Sequence, residues 1–379
     1  AGVRVTIQPT DPALQYIGRM ETTPTGNLRF DMPGCEIRGR VSLAAPSHIS
    51  ASLSQRHLPP PANPGGNSKN SGFQPNHFVV WVDGVRQGLG GHNATFVTDS
   101  SQEDAVPVSF NLTTAGAAVP PGQHDIRILK ATEADWNGGD PIPNYVTFHG
   151  LTITTTTMPL ERPRAVPPPP LPARKIEFLG DSITAGFCNE CRSKEHDSNE
   201  EAYGATWDFQ IGQLLNAQVH TAAWSGLGMV HNCCGGNTTM PSIFSRTLAT
   251  VNVDNTWRWG SWVPDALVIN LGTNDGGSSI NPSMHYIETY TDLVLNASKN
   301  YGADLQVFLA CGPMSEIYCD PVHSVLGNVA AKGVKAHFLD QRGFLNGTFG
   351  PACCGHPSVQ VDTAMAQVGA ATIKAALGW

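Results

Sequence analysis

Lys175-Ile176-Glu177-Phe178-Leu179-Gly180-Asp181-Ser182-Ile183-Thr184 is a short apolar run that stops at glycine and passes into a polar turn. Such a run reads as a buried strand, and Gly-Asp-Ser directly after it as the turn into the next element. A serine held just past a strand end is where a hydrolase presents a nucleophile. Ser182 is therefore the first candidate site residue.

Downstream of Lys175, apolar runs alternate with amphipathic segments, which predicts an α/β unit built on a mostly parallel sheet. Strands are expected at Lys175–Leu179, Val219–Ala223, Ala266–Leu271, Leu305–Ala310 and Val334–Leu339. Helices are expected at Tyr203–Leu215, at Pro282–Tyr301, and from near Ser358 or Asp362 towards Leu377. In the second of these, Met284, Ile287, Thr291 and Val294 have the spacing of a buried stripe. A flavodoxin-like sheet would take the strand order 2-1-3-4-5.

Upstream the pattern differs. Short β-rich runs occur at Val3–Ile7, Leu28–Phe30, Cys35–Val41, Phe78–Val82, Val108–Leu112, Ile126–Leu129 and Val146–Thr156, with turn signals such as Asp83-Gly84 and no long helical period between them. They predict a β-sandwich. Pro59 to Gly72 is polar and rich in Pro, Gly, Asn and Ser, the composition of a long loop. Pro167-Pro168-Pro169-Pro170 favours a stiff, extended spacer. Three units follow: a sandwich over 1–160, a linker over 161–174 and a second domain over 175–379.

Three further blocks follow Gly180-Asp181-Ser182 in order: Trp224-Ser225-Gly226, Gly272-Thr273-Asn274-Asp275 and Gly355-His356-Pro357. Together the four resemble the SGNH (GDSL-type) esterases, whose signature residues would fall on Ser182, Gly226, Asn274 and His356. The bimodular layout narrows the resemblance to carbohydrate esterase family 2. Supporting fragments are Val80-Trp81-Val82-Asp83-Gly84, His124 to Glu133, Tyr203-Gly204-Ala205 and Cys353-Cys354-Gly355-His356-Pro357-Ser358. The resemblance implies a three-layer, flavodoxin-like α/β domain behind an N-terminal sandwich of jelly-roll type. It also implies a secreted esterase that removes acetyl groups from polysaccharides or oligosaccharides, with preference for the 6-hydroxyl of hexopyranosides.

Ester hydrolysis through a covalent intermediate needs a nucleophile, a base and donors aimed at the developing oxyanion. Ser182 would attack and His356 would take its proton. The resemblance implies an oxyanion hole made by the Ser182 and Gly226 backbone N–H groups and the Asn274 side-chain amide. Many SGNH enzymes place Asp three residues before the histidine, where this chain has Cys353. Family 2 includes dyad members in which a backbone carbonyl holds the imidazole instead. Each residue also has a plainer reading: Ser182 or Asn274 as a cap, Gly226 as a turn residue, His356 as a surface residue. Asp181 reads as an acceptor for loop amides.

Nine cysteines allow two chemistries. Cys188, Cys191, Cys233 and Cys234 could hold zinc, but a second comparable set, Cys311, Cys319, Cys353 and Cys354, favours disulfides in a secreted chain. Strand order 2-1-3-4-5 would pair Cys188 and Cys191 with Cys233 and Cys234, and Cys311 and Cys319 with Cys353 and Cys354, leaving Cys35 free. Closure of Cys188 on Cys191 is the alternative. Trp257, Trp259 and Trp262 read either as a sugar-stacking platform or as core.

The 379 residues carry a formal charge of −8, so no basic footprint for nucleic acid is present. No apolar run approaches the ~18 residues of a membrane span. Charged residues are only 14%, while Gly (39) and Pro (29) are abundant, which suits a loop-rich extracellular protein. Ala1 at the start is consistent with a signal peptide already removed. Asn93, Asn111, Asn237, Asn296 and Asn346 stand in glycosylation sequons. No metal or organic cofactor is expected. The competing functions are an SGNH lipase or thioesterase and a carbohydrate-binding protein whose hydrolase domain is inactive.

Overall fold

The computed structural model describes residues 2–57, 75–88, 95–98, 106–134, 143–191, 202–251, 255–276, 284–345 and 351–379. The loop read at Pro59–Gly72 lies outside them.

Glu177 sits in the middle of the strand Arg174–Gly180 and is fully buried. Burying a carboxylate without a partner is prohibitive, and the partner comes from the other half of the chain. Arg19 Nε and Nη2 donate to Glu177 Oε1 at 3.1 and 2.8 Å, and Tyr301 Oη donates to Oε2 at 2.6 Å. The remaining Arg19 nitrogen, Nη1, donates to the carbonyls of Phe244 and Arg246. One ion pair thus joins the N-terminal half to the first strand of the C-terminal sheet.

The C-terminal sheet is five-stranded and parallel throughout: Arg174–Gly180, Ala217–Ala223, Ala266–Asn270, Gln306–Cys311 and Lys335–Asp340. Its order is 2-1-3-4-5, as expected. Ile176 and Phe178 pack on one face and Leu179 on the other, the period of two that a strand buried on both faces requires. The helices are α1 (Ser182–Ala185), α2 (Trp207–Leu215), α3 (Met240–Phe244), α4 (Met284–Tyr301), α5 (Cys319–Ala330) and α6 (Val359–Leu377). Thr206 caps α2 through its hydroxyl, and Ser358 accepts from Val361 N at the start of α6.

The stripe read along α4 is displaced. Met284 is exposed, and the buried face is Tyr286, Tyr290, Leu293, Val294, Ala297 and Tyr301. Tyrosine can occupy it because each hydroxyl finds an acceptor: Tyr286 Oη donates to Leu271 O and Tyr290 Oη to Ile269 O.

The N-terminal half consists of two antiparallel sheets. One runs Val108–Asn111, Ser47–His57, Asn144–Thr155, Leu28–Phe30, Glu21–Thr22, with Arg4–Ile7 added on Asn144–Thr155. The other runs Arg164–Val166, Glu36–Leu43, Gly122–Lys130, His77–Val82, Val85–Gln87, with Leu14–Ile17 and Phe96–Val97 off this path. Phe78, Phe96 and Phe110 stack in succession from one sheet to the other, with centroids 4.9 and 4.7 Å apart. Arg164–Val166, inside the stretch read as a linker, pairs with Glu36–Leu43. The longest strand missing from the sequence reading is Ser47–His57, where serines dilute the alternation of Ile49, Ala51 and Leu53.

The halves share one apolar cluster, which holds Phe30 and Phe148 together with Leu179 and Trp224. Asp31 accepts from the backbone N–H groups of Ala249 and Thr250 and from the Thr250 hydroxyl, so a second buried carboxylate spans the junction.

Candidate active site

The position of the first parallel strand between the second and the third places three loops side by side. Ser182 follows that strand, Gly226 follows the second and Asn274 the third. Strands 2 and 3 flank strand 1, so their carboxyl ends open at the switch point where open α/β sheets bind ligands.

Asp181, not Ser182, caps α1: its Oδ1 accepts from Ile183 N at 3.0 Å. That removes the capping explanation for Ser182, which is the first helical residue and buried. Gly180 has to be glycine, since a Cβ there would meet Thr184 Oγ1 at 2.1 Å.

His356 arrives from the loop before α6. Its Nε2 lies 2.8 Å from Ser182 Oγ, and its Nδ1 lies 3.2 Å from the carbonyl oxygen of Cys354. A carbonyl only accepts, so Nδ1 carries the proton and the Nε2 lone pair faces the Ser182 hydroxyl. Cys354 adopts φ +56°, the left-handed region that side chains disfavour, within the turn that aims this carbonyl back at the ring. The ring also packs beside Phe187, with centroids 4.9 Å apart.

The His356 loop is tied down at several points. Ala352 N donates to His356 O, His356 N to Cys353 O, and Val359 N to Asn189 O. Asn189 is buried and also donates to Asp362 Oδ2 at 3.2 Å. A disulfide joins Cys191 to Cys353, linking the loop after Ser182 to the loop before His356.

Gly226 has φ +80°, and a Cβ there would lie 3.0 Å from Cys233 Sγ. The loop beyond it is organised by Asp275, which accepts from Met229 N, Val230 N and His231 N. Asn274 Nδ2 donates to Leu227 O at 2.9 Å and, over a longer 3.3 Å, to Asp181 Oδ2. Burial, with the Asp275 charge nearby, pushes Asp181 up to about 7. Burial raises Asp275 as well, against the pull of its three amide donors.

Corrections concern the cysteines and the helix stripe. The disulfides are Cys191–Cys353, Cys233–Cys234 and Cys311–Cys319. None matches the expected pairing, and Cys188 and Cys354 belong to none of the three, with their sulfurs 3.9 Å apart. The expectation followed strand adjacency alone. It left out that His356 must return over the first strand to reach Ser182, which carries Cys353 and Cys354 to Cys188 and Cys191. Closure of Cys188 on Cys191 and the four-thiolate site are likewise not formed. Cys35 is buried in no disulfide, its thiol pushed up to about 12 chiefly by burial.

The tryptophans are packing residues. Trp257 is buried and donates to Tyr301 Oη, Trp259 packs edge-on to Phe244, and Trp262 stacks on His220. Asn111, Asn237 and Asn296 are exposed, while Asn93 and Asn346 lie outside the described residues. Among the described residues no cluster of three His, Cys, Asp or Glu side chains is placed to hold a metal. No described helix is long and apolar enough to cross a membrane. Sequence reasoning gave no role to Glu133, Asn189 or Asp275, although Asp275 adjoins Asn274 and Glu133 ends the fragment His124 to Glu133.

A family model described as the GDSL-like lipase/acylhydrolase family matches residues 178–360, the segment from the first parallel strand to the start of α6. Over that segment, just under half of the chain, the protein is similar to the GDSL-type (SGNH) hydrolases. It is 31% identical over 289 residues to the cellulase/esterase CelE of Acetivibrio thermocellus, a match covering 72% of this chain and 33% of that protein. The chain therefore spans about a third of CelE. An acetylxylan esterase / glucomannan deacetylase of Cellvibrio japonicus is 26% identical over 300 residues, covering 78% of this chain and 70% of the relative. The fold is that of a family two carbohydrate esterase from Clostridium thermocellum solved with cellohexaose, with a TM-score of 0.77, 24% identity and coverage of 97% and 99% of the two chains. The likeness of fold to that esterase runs along both halves of the chain.

Proposed function

We propose that this protein is a secreted serine esterase that removes O-acetyl groups from a polysaccharide or oligosaccharide. The observation that carries the reading is the 2.8 Å contact between Ser182 Oγ and His356 Nε2, with Nδ1 on a backbone carbonyl. In the reaction Ser182 Oγ bonds to the acetyl carbon as its proton passes to Nε2. The carbonyl oxygen becomes an oxyanion facing the N–H groups of Ser182 and Gly226 and the Asn274 amide. Of the two Asn274 contacts, the 3.3 Å one to Asp181 is the weaker and the more readily shared with that oxyanion. Collapse breaks the bond to the sugar oxygen, which takes the proton from the imidazolium, and water then releases acetate from Ser182 by the same steps in reverse.

The imidazolium is oriented by the Cys354 carbonyl dipole in place of a carboxylate. A dipole stabilises it less than a full charge does, and the disulfide and backbone ties compensate by limiting where the ring can go. The names of the relatives, acetylxylan esterase and glucomannan deacetylase, support an acetylated glycan as substrate. Within that class we assign the 6-O-acetyl group of hexopyranosyl units, which protrudes from the chain and can enter a narrow cleft. The N-terminal sandwich is taken as a jelly-roll unit over 1–160, with the catalytic unit over 175–379. Exposure of Asn111, Asn237 and Asn296 is compatible with glycans added during secretion.

Acetate release from a panel of acetylated glycans tests the reading, with Ser182→Ala as the control. Undiminished release by folded Ser182→Ala overturns the mechanism. Nuclear magnetic resonance of partially acetylated glucomannan should show the 6-O-acetyl signal decaying first; earlier loss of 2- or 3-O-acetyl overturns the positional assignment. Faster cleavage of octanoyl than acetyl esters would make the protein a lipase or thioesterase instead.

A further inference from the structure

Ser225 is buried and immediately precedes Gly226, yet its backbone N–H is not satisfied within its own domain. It donates to Glu133 Oε2 at 2.5 Å, a contact that crosses from the N-terminal sandwich. Glu133 is itself buried, three residues beyond the end of the strand Gly122–Lys130. The Lys130 ammonium donates to the carbonyls of Thr132 and Glu133 at 2.6 and 2.8 Å and so closes the turn that presents the carboxylate. On the far side Ala131 O accepts from Tyr203 N, which anchors the same turn to the hydrolase domain. A short bond from an amide to a buried carboxylate is among the stronger hydrogen bonds a loop can make.

The turn it holds is the one the proposed chemistry depends on. Trp224 N donates to Gly180 O, Cys233 N to Gly226 O, and Asn274 Nδ2 to Leu227 O. These contacts fix the turn on either side of Ser225. The peptide between them is fixed only if the Ser225 N–H is held too, since Gly226 lacks the side-chain sterics that restrict other residues. Resting on the esterase reading above, we infer that Glu133 is a positioning residue for the oxyanion hole, so that the sandwich domain completes the active site of the hydrolase domain.

Steady-state hydrolysis of 4-nitrophenyl acetate and of an acetylated oligosaccharide tests this on the full chain. Loss of an oxyanion donor costs about 10²–10³-fold, and misaiming one costs less. Glu133→Ala should therefore lower kcat by roughly ten-fold or more on both substrates, with KM within about three-fold. Glu133→Gln, which keeps an acceptor oxygen in place, should recover most of the loss. If Glu133→Ala does not fold, Glu133→Asp takes its place, because withdrawing the carboxylate by one methylene lengthens the same bond. A folded variant whose kcat stays within two-fold, or whose melting temperature and KM shift while kcat holds, overturns the inference. Ser182→Ala separates the two readings: if it is inactive while Glu133→Ala is unimpaired, the esterase stands and the positioning role falls.

Discussion

Nδ1 of His356 lies 3.2 Å from the carbonyl oxygen of Cys354, two residues back in the same turn, while the opposite ring nitrogen meets Ser182 Oγ. The imidazole is thus oriented by its own loop. Cys353, three residues before His356, has its sulfur bonded to Cys191. His356→Ala should lower kcat for an acetyl ester by about 10²–10⁴-fold, the span of general acid–base contributions. A folded variant that retains near-normal kcat contradicts the dyad.

Asn274→Ala should reduce kcat by about 10²–10³-fold, as for other oxyanion donors. Asp181→Asn keeps an acceptor for Ile183 N and should show mainly a changed melting temperature, with kcat affected far less than in Asn274→Ala. The reverse ranking would place Asp181, rather than Asn274, at the reacting atoms.

The Cys191–Cys353 bridge closes a sequence separation of 162 residues. Replacing both cysteines with serine should cost about 2–4 kcal/mol of stability. It should also lower kcat more than it raises KM, because the His356 loop loses its tether to the loop after Ser182. Chemical denaturation and ester kinetics on the same preparation measure both effects.

Arg19 is buried against the rings of Phe244, Trp257 and Trp259 while it pairs with Glu177. Arg19→Met leaves that carboxylate buried without its counter-ion and should cost about 3–5 kcal/mol. The double variant Arg19→Met/Glu177→Gln should recover a large part of the loss. Additive losses in urea unfolding would show that the pair is not coupled.

Stability should fall as pH rises from about 4 to about 7. Burial pushes Asp208 up to about 6 and Asp181 up to about 7, and raises Asp362 and Asp31 as well. Below the ordinary carboxylate value near 3.9 both states hold these protons. Above it the unfolded chain releases them first, so each group favours unfolding by up to about 1.4 kcal/mol per pH unit until its folded value is passed. Melting temperature should be higher at pH 5 than at pH 7.5, and Asp208→Asn should flatten the slope. A melting temperature that rises across this range contradicts the assignment of protonated buried carboxyls.

The strands of the parallel sheet were visible as apolar runs and the helices α2, α4 and α6 as the amphipathic segments between them, because strands covered on both faces are mostly apolar, whereas the strand order came from flavodoxin-like topology. Ser182, Gly226, Asn274 and His356 were visible through the resemblance of their four ordered blocks to the SGNH signature, since each taken alone reads as a cap, turn or surface residue. Ser47–His57 and α5 were not visible, since small polar residues blur one pattern and the Cys319 to Ala330 segment lacks a strong start signal. The α4 stripe was misplaced because tyrosine counts as half polar until its hydroxyl is seen to have a partner.

Local sequence determined which segments become strands and helices, and therefore that a serine, a glycine, an asparagine and a histidine stand at element ends. Backbone geometry and side-chain burial act over a few residues, so that information lies within each segment. Only the tertiary structure decided which loops meet: that Cys191 reaches Cys353, that Cys354 supplies the acceptor for His356, that Arg19 neutralises Glu177, and that Glu133 crosses from the sandwich to Ser225. These are contacts between residues as many as 162 positions apart. Their energy comes from pairing groups that burial would otherwise leave unsatisfied, and no single segment carries the record of its partner.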